Sequence, residues 1–390
     1  MIKSLCILGR QPALGVAELE SIYGHTHLSL IGSEIAGLDI STDKIHLSQL
    51  GGTIKLCSVV GELSTTNWPD MEHLILDNLD TYMPTLESGK LLFGISVYDV
   101  NASVQQIQAT GLRLKQALKH RGQSARLVPN QLPKLNSAQV LHNRLDSKKG
   151  VELILARDGE SVYVARTTGV QNITSYTYRD RSRPKRDTRV GMLPPKLAQI
   201  IINLAKPPIH GRLLDPFCGT GVILQEAGLM GLEVYGSDLE ARMIEYSETN
   251  LGWLRDNFGR PRNWTLEVGD ATNHRWQAFD AVASELYLGQ PFSAFPSLEK
   301  LHSVIHTCDQ ITRAFLKNIH PQLKPDTHLS LAVPAWQDPK SGSFYHLPAL
   351  DQIELLGYNR VSFSHTTNQE LIYYRPGQVV GRQLIVIKRK

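Results

Sequence analysis

The segment Leu213-Leu214-Asp215-Pro216-Phe217-Cys218-Gly219-Thr220-Gly221 constrains this chain more than any other stretch. An apolar run ends on an acid. Two glycines follow at alternate positions, and VILQEAGLM continues with helical apolar spacing. A buried strand, a tight turn and a helix are therefore predicted, with Asp215 at the carboxyl end of the strand. Gly219 and Gly221 allow backbone to approach a ligand closely. Two phosphate-binding readings fail here. A dinucleotide loop wants a third glycine where Leu224 stands, and a P-loop wants a Gly-Lys-Ser/Thr that does not follow.

Two further acids fall into register. Asp238, in YGSDLE, lies 23 residues after Asp215 and follows a second strand-like run, where a carboxylate can accept both hydroxyls of a ribose. Asp270, in EVGDAT, follows a third run and is placed to meet an adenine amine. Acids at three successive strand ends suit a nucleoside with a cationic tail and no phosphate, which describes S-adenosylmethionine. Asp215 would stand near its ammonium end.

At 390 residues, two or three domains of roughly 100–200 residues are expected. The content of 42% hydrophobic and 20% charged residues excludes a disordered or fibrous chain. From about residue 190, strands alternate with helices, which predicts parallel βαβ units. MLPPKLAQIIINLA reads as a helix with proline in its first turn. ELIYYRPGQVVGRQLIVIKR reads as an antiparallel hairpin closing the sheet edge. Before residue 170 the texture is α+β: SLCIL and LFGISVY as strands, ALGVAELESIY as a helix, and VELILARDGESVYVARTT as a hairpin about an Asp-Gly turn. A helix over 103–120 is predicted, capped by Asn101, with Ile107, Leu112, Leu114 and Leu118 on its apolar face. Between the two regions, RDRSRPKRDTR at 179–189 has no apolar period and reads as an exposed basic strap.

DPFCGTGVILQEA followed by GSDLE resembles the Rossmann-like RNA methyltransferases, and within them the THUMP-containing tRNA guanine-N2 methyltransferases. GMLPPKLAQIIINLA and YYRPGQVVGRQ are also similar to that family. The resemblance covers 190–390 strongly and 1–170 more weakly. It implies a ferredoxin-like part over 1–60, a THUMP-like RNA-binding part over 61–170, a basic linker over 171–190 and a Rossmann-like methyltransferase domain over 191–390. It further implies S-adenosylmethionine as cofactor, with Asp215, Phe217, Gly219, Gly221, Asp238, Asp270 and Ala271 in contact with it, and Leu193 and Pro195 helping to cover it. The implied reaction is methyl transfer to the N2 amino group of a guanine in tRNA.

One site departs from the pattern. Amine-methylating relatives carry Asp/Asn-Pro-Pro-Tyr/Phe after the fourth strand. There the acid or amide orients the amine and the aromatic ring holds the base. Here Glu285-Leu286-Tyr287-Leu288-Gly289 occupies the slot. Glu285 keeps a carboxylate on a longer arm, both prolines are missing, and the aromatic stands one place early at Tyr287. Three readings stay open: catalysis through Glu285 and Tyr287 on an altered backbone, action on a different atom, or loss of catalysis with RNA and cofactor binding retained. A methyltransferase acting on protein or a small molecule is the remaining alternative.

The net charge of +4 is too small to name a partner, so the position of the charge matters more. Arg113, Lys115, Lys119, Arg121 and Arg126 form a cluster that can follow RNA phosphates. Cys6, Cys57, Cys218 and Cys308 are far apart, with no CxxC spacing, and read as reduced thiols. No HExxH or Cys/His zinc spacing occurs, so no metal is expected. The N-terminal apolar stretch is broken by Arg10 and no apolar run approaches ~18 residues. A cytoplasmic protein with tRNA as partner is expected, and a need for a partner subunit stays open.

Overall fold

The computed structural model describes residues 1–187 and 192–390. Thr188 and Arg189, the end of the basic strap, lie outside the described residues, as do Val190 and Gly191. The chain divides into two compact units. The first comprises residues 1–12, 23–48 and 52–173, and the second comprises 13–22, 49–51 and 174–390.

The first unit contains β1 (Ser4–Leu8), β2 (Leu28–Ile31), β3 (Ile35–Leu38), β4 (Thr53–Leu63), β5 (Leu91–Tyr98), β6 (Ala125–Leu127), β7 (Gly150–Asp158) and β8 (Ser161–Val170). They form one sheet in the order β2-β3-β1-β4-β8-β7-β5-β6. The boundary expected at residue 60 falls inside β4, which pairs with both β1 and β8. The two N-terminal parts therefore share a continuous ladder. β7 and β8 pair from Asp158 opposite Ser161, so the Asp-Gly turn forms the predicted hairpin.

Helix α1 (Pro12–Tyr23) comes first in the chain and lies almost wholly in the second unit. Its Leu14 and Ala17 join a core with Leu197, Ile201, Leu213 and Ile223. In the first unit, α2 (Trp68–Asp77), α3 (Leu79–Tyr82) and α4 (Val104–His120) cover the sheet, and α5 (Ser137–His142) follows. The cap of α4 is Ser103, not Asn101: its hydroxyl accepts the Gln106 N–H while the Gln106 side chain accepts the Ser103 N–H. Ile107, Leu114 and Leu118 are buried as expected, but Leu112 is exposed. Thr110 and Gly111 take the inward place that Leu112 would have filled, because the 3.6-residue period turns position 112 outward.

The second unit continues with α6 (Ile173–Arg181), α7 (Pro195–Leu204), β9 (Arg212–Asp215), α8 (Val222–Leu229), β10 (Glu233–Asp238), α9 (Ala241–Phe258), β11 (Trp264–Val268), β12 (Ala281–Glu285) and α10 (Leu298–Ile319). β13 (His328–Gln337), β14 (Phe344–Tyr345), β15 (Tyr358–Arg360), β16 (Ile372–Tyr373) and β17 (Val380–Arg389) complete it. The sheet runs β11-β10-β9-β12-β13-β17-β15. The first five strands are parallel. β17 enters antiparallel to both β13 and β15.

Two expectations are corrected here. β16 pairs with β17 over two residues, while β13 pairs with β17 over nine. The C-terminal run is therefore an inner strand, not an edge. Its alternation LIVI is buried on both faces, which an edge strand would not require. The second correction concerns the linker over 171–190. Residues 173–181 are helical, and Arg179 and Arg183 are buried. Arg179 donates from Nε and Nη2 to the two carboxylate oxygens of Glu226, at 2.7 and 3.1 Å. Glu226 lies on the buried face of α8 and requires a cation there, so the basic run is partly consumed as structure.

Candidate functional site

The strand order reverses at β9, whose neighbours β10 and β12 leave it on opposite sides. Loops at the carboxyl ends of those strands form the crevice where open α/β sheets bind ligands. Five predicted residues meet in a cavity of about 120 Å³: Leu193, Asp215, Phe217, Gly219 and Glu285. Met192, Leu193 and Met243 give it apolar walls, and Asp187 adds a third acid. Gly221, Asp238, Asp270, Ala271 and Tyr287 are not among the residues that line it.

Asp215 closes β9 and is 1% exposed. Its Oδ1 accepts from Ser284 Oγ at 2.6 Å and from the Phe217 N–H at 3.2 Å. Burial pushes its carboxyl up to about 7; Asp238 and Glu285 push in the same direction, and the two hydrogen bonds oppose them. Among the described residues Asp215 forms no ion pair. Phe217 meets Phe315 edge to face, with ring centroids 5.2 Å apart.

The glycines do what the turn demands. Gly219 has φ 52° and Gly221 φ 80°, in the left-handed region. A Cβ on Gly219 would meet nothing within 4 Å, so the loop backbone is open on that side. A Cβ on Gly221 would lie 2.8 Å from Ser247 Oγ. Asp238 ties the loop to β10: its Oδ2 accepts the Gly219 N–H at 2.9 Å and its Oδ1 the Glu240 N–H at 3.0 Å. Burial raises the Asp238 carboxyl, against those two bonds. Asp270 accepts from the Thr272 N–H and hydroxyl through Oδ1, at 2.9 and 2.7 Å. Ala271 is buried, and its carbonyl accepts from Asn318 Nδ2 at 3.0 Å. Pro195 opens α7 at its first position, and Leu193 precedes it in the cavity wall.

Glu285 ends β12. Its Oε1 accepts from Arg382 Nε at 2.5 Å, and Arg382 is 3% exposed. Burial pushes the Glu285 carboxyl up, and the guanidinium opposes that rise. The missing prolines now have a physical counterpart. Leu286 donates its N–H to the Ala332 carbonyl at 2.9 Å, extending the ladder by one bond that a proline could not make. Leu286 and Leu288 are buried, so packing holds the loop in place of proline rigidity. Tyr287, between them, is 41% exposed. Cys218 is buried in the glycine loop and its thiol is pushed well up by burial, so it is not poised as a nucleophile.

In the first unit the basic cluster is partly neutralised. Arg113 pairs with Glu72 at 2.6 Å and Arg121 with Asp80 at 2.5 Å. Lys115, Lys119 and Arg126 are exposed. Sequence reasoning missed Ser284 and Arg382, which act across strands. Arg382 lies in the noted run YYRPGQVVGRQ, but nothing in its spacing points to Glu285.

Five parallel strands followed by a reversed inner strand, with an acid–glycine loop at the switch point, make a methyltransferase-like α/β sheet fold. Residues 183–332 match the model of the RMKL-like methyltransferase domain (UPF0020). The tRNA (guanine(10)-N2)-dimethyltransferase of Methanothermobacter thermautotrophicus is 34% identical over 152 residues, 39% of this chain and 41% of that protein. That of Pyrococcus abyssi is 39% identical over 97 residues, 24% of this chain and 27% of the other. The chain thus matches less than half the length of these curated relatives. The fold is similar to TrmN from Thermus thermophilus, with TM-score 0.53 and 15% identity over 100% of both chains. A possible methylase from Clostridium difficile 630 gives 0.51 and 14%, over 99% of this chain and 98% of the other.

Proposed function

We propose that this protein transfers a methyl group from S-adenosylmethionine to the N2 amino group of a guanine in tRNA. The observation that carries the reading is a pair of carboxylates, buried Asp215 and part-buried Glu285, facing one cavity beside an open glycine loop. Among the described residues, three acids line the cavity and Arg382 is paired with one of them, Glu285, which leaves excess negative charge that suits a cationic cofactor. The relatives named as tRNA guanine-N2 enzymes support the choice of substrate.

Asp215 would meet the cationic end of the cofactor, Asp238 would accept from ribose hydroxyls, and Asp270 would accept from the adenine amine through Oδ2. Phe217, Leu193 and Met243 would exclude water, while Gly221 and Ala271 complete the backbone on which the nucleoside rests. When bound, the cofactor supplies a methyl group already activated by its sulfonium. The chain's part is alignment. Glu285 would accept a hydrogen bond from the guanine amine and take its proton, and Tyr287, exposed beside it, would stack on the base.

The first unit is the proposed tRNA-binding part, ferredoxin-like and then THUMP-like, with Lys115, Lys119 and Arg126 following phosphates and Arg113 and Arg121 contributing less. No helix among the described residues is long and apolar enough to cross a membrane. The test is methyl transfer to unmodified tRNA followed by mass spectrometry of the nucleosides. N2-methylguanine in the product is expected, and guanine 10, for which the relatives are named, is the first position to inspect. Calorimetry that detects no S-adenosylmethionine binding by the whole protein overturns the reading.

A further inference from the structure

We propose that Arg382, on the inner antiparallel strand β17, is a positioning residue that holds Glu285 ionised and aimed into the cavity. The inference deepens the proposed function and rests on it for the reaction, though not for the ion pair itself.

Glu285 is the last residue of β12 and stands opposite Ala332 on β13. Ala332 in turn stands opposite Leu384 on β17, and Arg382 lies two residues along, opposite Pro334. Cross-strand neighbours share a face, and residues two apart on a strand share it too. Glu285, Ala332, Leu384 and Arg382 therefore point to one side of the sheet. Two strand spacings of about 4.8 Å separate β12 from β17. A long side chain can bridge that gap where the strand between presents something small, and Ala332 does so. Arg382 meets Oε1 through Nε, so the guanidinium is held by its inner nitrogen and its orientation is set. Oε2 accepts no hydrogen bond from the described residues, and Glu285 lines the cavity.

Among the described residues, the charged and titratable groups facing Glu285 are Asp215 from β9, Arg382 from β17, and Asp187 and Cys218 along the same cavity. Arg382 is the one cation in this set. Without it, Glu285 would sit part-buried beside Asp215, and like charges that close favour the protonated acid. A protonated Glu285 cannot take the amine's proton. The arginine thus does for this loop what the missing prolines do in the Asp/Asn-Pro-Pro pattern: it fixes the acceptor. It also fixes its charge.

The experiment compares wild type, Arg382→Gln and Arg382→Lys in single-turnover methyl transfer across pH, with S-adenosylmethionine affinity measured in parallel. Transfer should need ionised Glu285, so it falls as pH falls. In Arg382→Gln the acid limb should move to higher pH, with transfer at neutral pH down about 10–100-fold, cofactor affinity nearly unchanged, and Arg382→Lys recovering most of the loss. An acid limb that stays in place in Arg382→Gln overturns the proposal. The ligand-free wild type supplies a readout independent of activity and of variant folding. By NMR, the Glu285 carboxyl carbon and Arg382 Nε should shift with one common midpoint. An Arg382 Nε resonance indifferent to the Glu285 titration overturns the ion-pair role. Wild type that transfers nothing to tRNA while showing the common midpoint sinks the proposed reaction and leaves the pair standing.

Discussion

Ser284 donates its hydroxyl to Asp215 Oδ1 at 2.6 Å, joining two parallel strands at the point where the sheet changes direction. The donor comes from β12 and the acceptor from β9, 69 residues apart. The bond steadies a carboxylate that burial works to neutralise, and it does so one residue before Glu285.

Asp215 should make cofactor binding depend on pH. Its carboxyl is raised to about 7 in the folded protein. Between the ordinary carboxylate range and that value, the folded protein keeps a proton that the unfolded chain has released. This costs stability progressively as pH rises through the window, and the full cost is reached above it. A cationic ligand favours the ionised form, so affinity for S-adenosylmethionine should rise with pH, by about tenfold from pH 6 to pH 8. Calorimetry at the two values checks this, and Asp215→Asn should flatten the dependence. Ser284→Ala removes an opposing bond and should move the midpoint higher.

Asp238→Ala removes the acceptor of the Gly219 N–H together with the proposed acceptors for the ribose. Cofactor affinity should fall by about 1–3 kcal/mol, the cost of stranded polar groups. Titration calorimetry measures it, and affinity within error of wild type would take Asp238 out of the cofactor site.

Glu285→Gln keeps an oxygen acceptor and should retain some methyl transfer. Glu285→Ala should lose on the order of 10²–10⁴-fold, since orientation and proton removal go together. Leu286→Pro, which moves the loop toward the family pattern, deletes the N–H bonded to Ala332 and should lower transfer too. Nucleoside analysis after reaction with unmodified tRNA reads all three. Activity that is unchanged in Glu285→Ala would remove that residue from the mechanism.

tRNA binding should weaken steeply with salt. Replacing Lys115, Lys119 and Arg126 by Ala should cost more affinity than replacing Arg113 and Arg121, which already face Glu72 and Asp80. Filter binding at two salt concentrations gives the slopes. Equal losses from the two sets would mean that the acidic partners do not compete with RNA.

Arg179→Ala strands Glu226 in the interior and should destabilise the protein by about 3–5 kcal/mol. Thermal or denaturant unfolding measures this directly. A loss no larger than that of an exposed arginine would show that the pair is relieved in another way.

The strand–turn–helix at 213–229 was legible because everything it needs is local: an apolar run, two glycines with left-handed φ, and a helix that starts at once. The acids Asp215, Asp238 and Asp270 were legible for the same reason, since each closes or follows a strand whose pattern is visible in the chain. The Asp-Gly hairpin of β7 and β8 belongs with them. Position in a buried sheet was not legible. A run such as LIVI reads alike at an edge or in the middle, and the pairing of β17 with β13 depends on a strand some 50 residues earlier in the chain. The fate of individual charges was hidden too. Arg179 and Arg382 look like any surface arginine in one dimension; burial beside Glu226 and Glu285 makes one a structural counter-ion and gives the other its bond across β13. Local periodicity records how a segment meets the core. The identity of the side chain waiting there, 47 or 97 residues away, is decided by the topology that brings the strands and helices together.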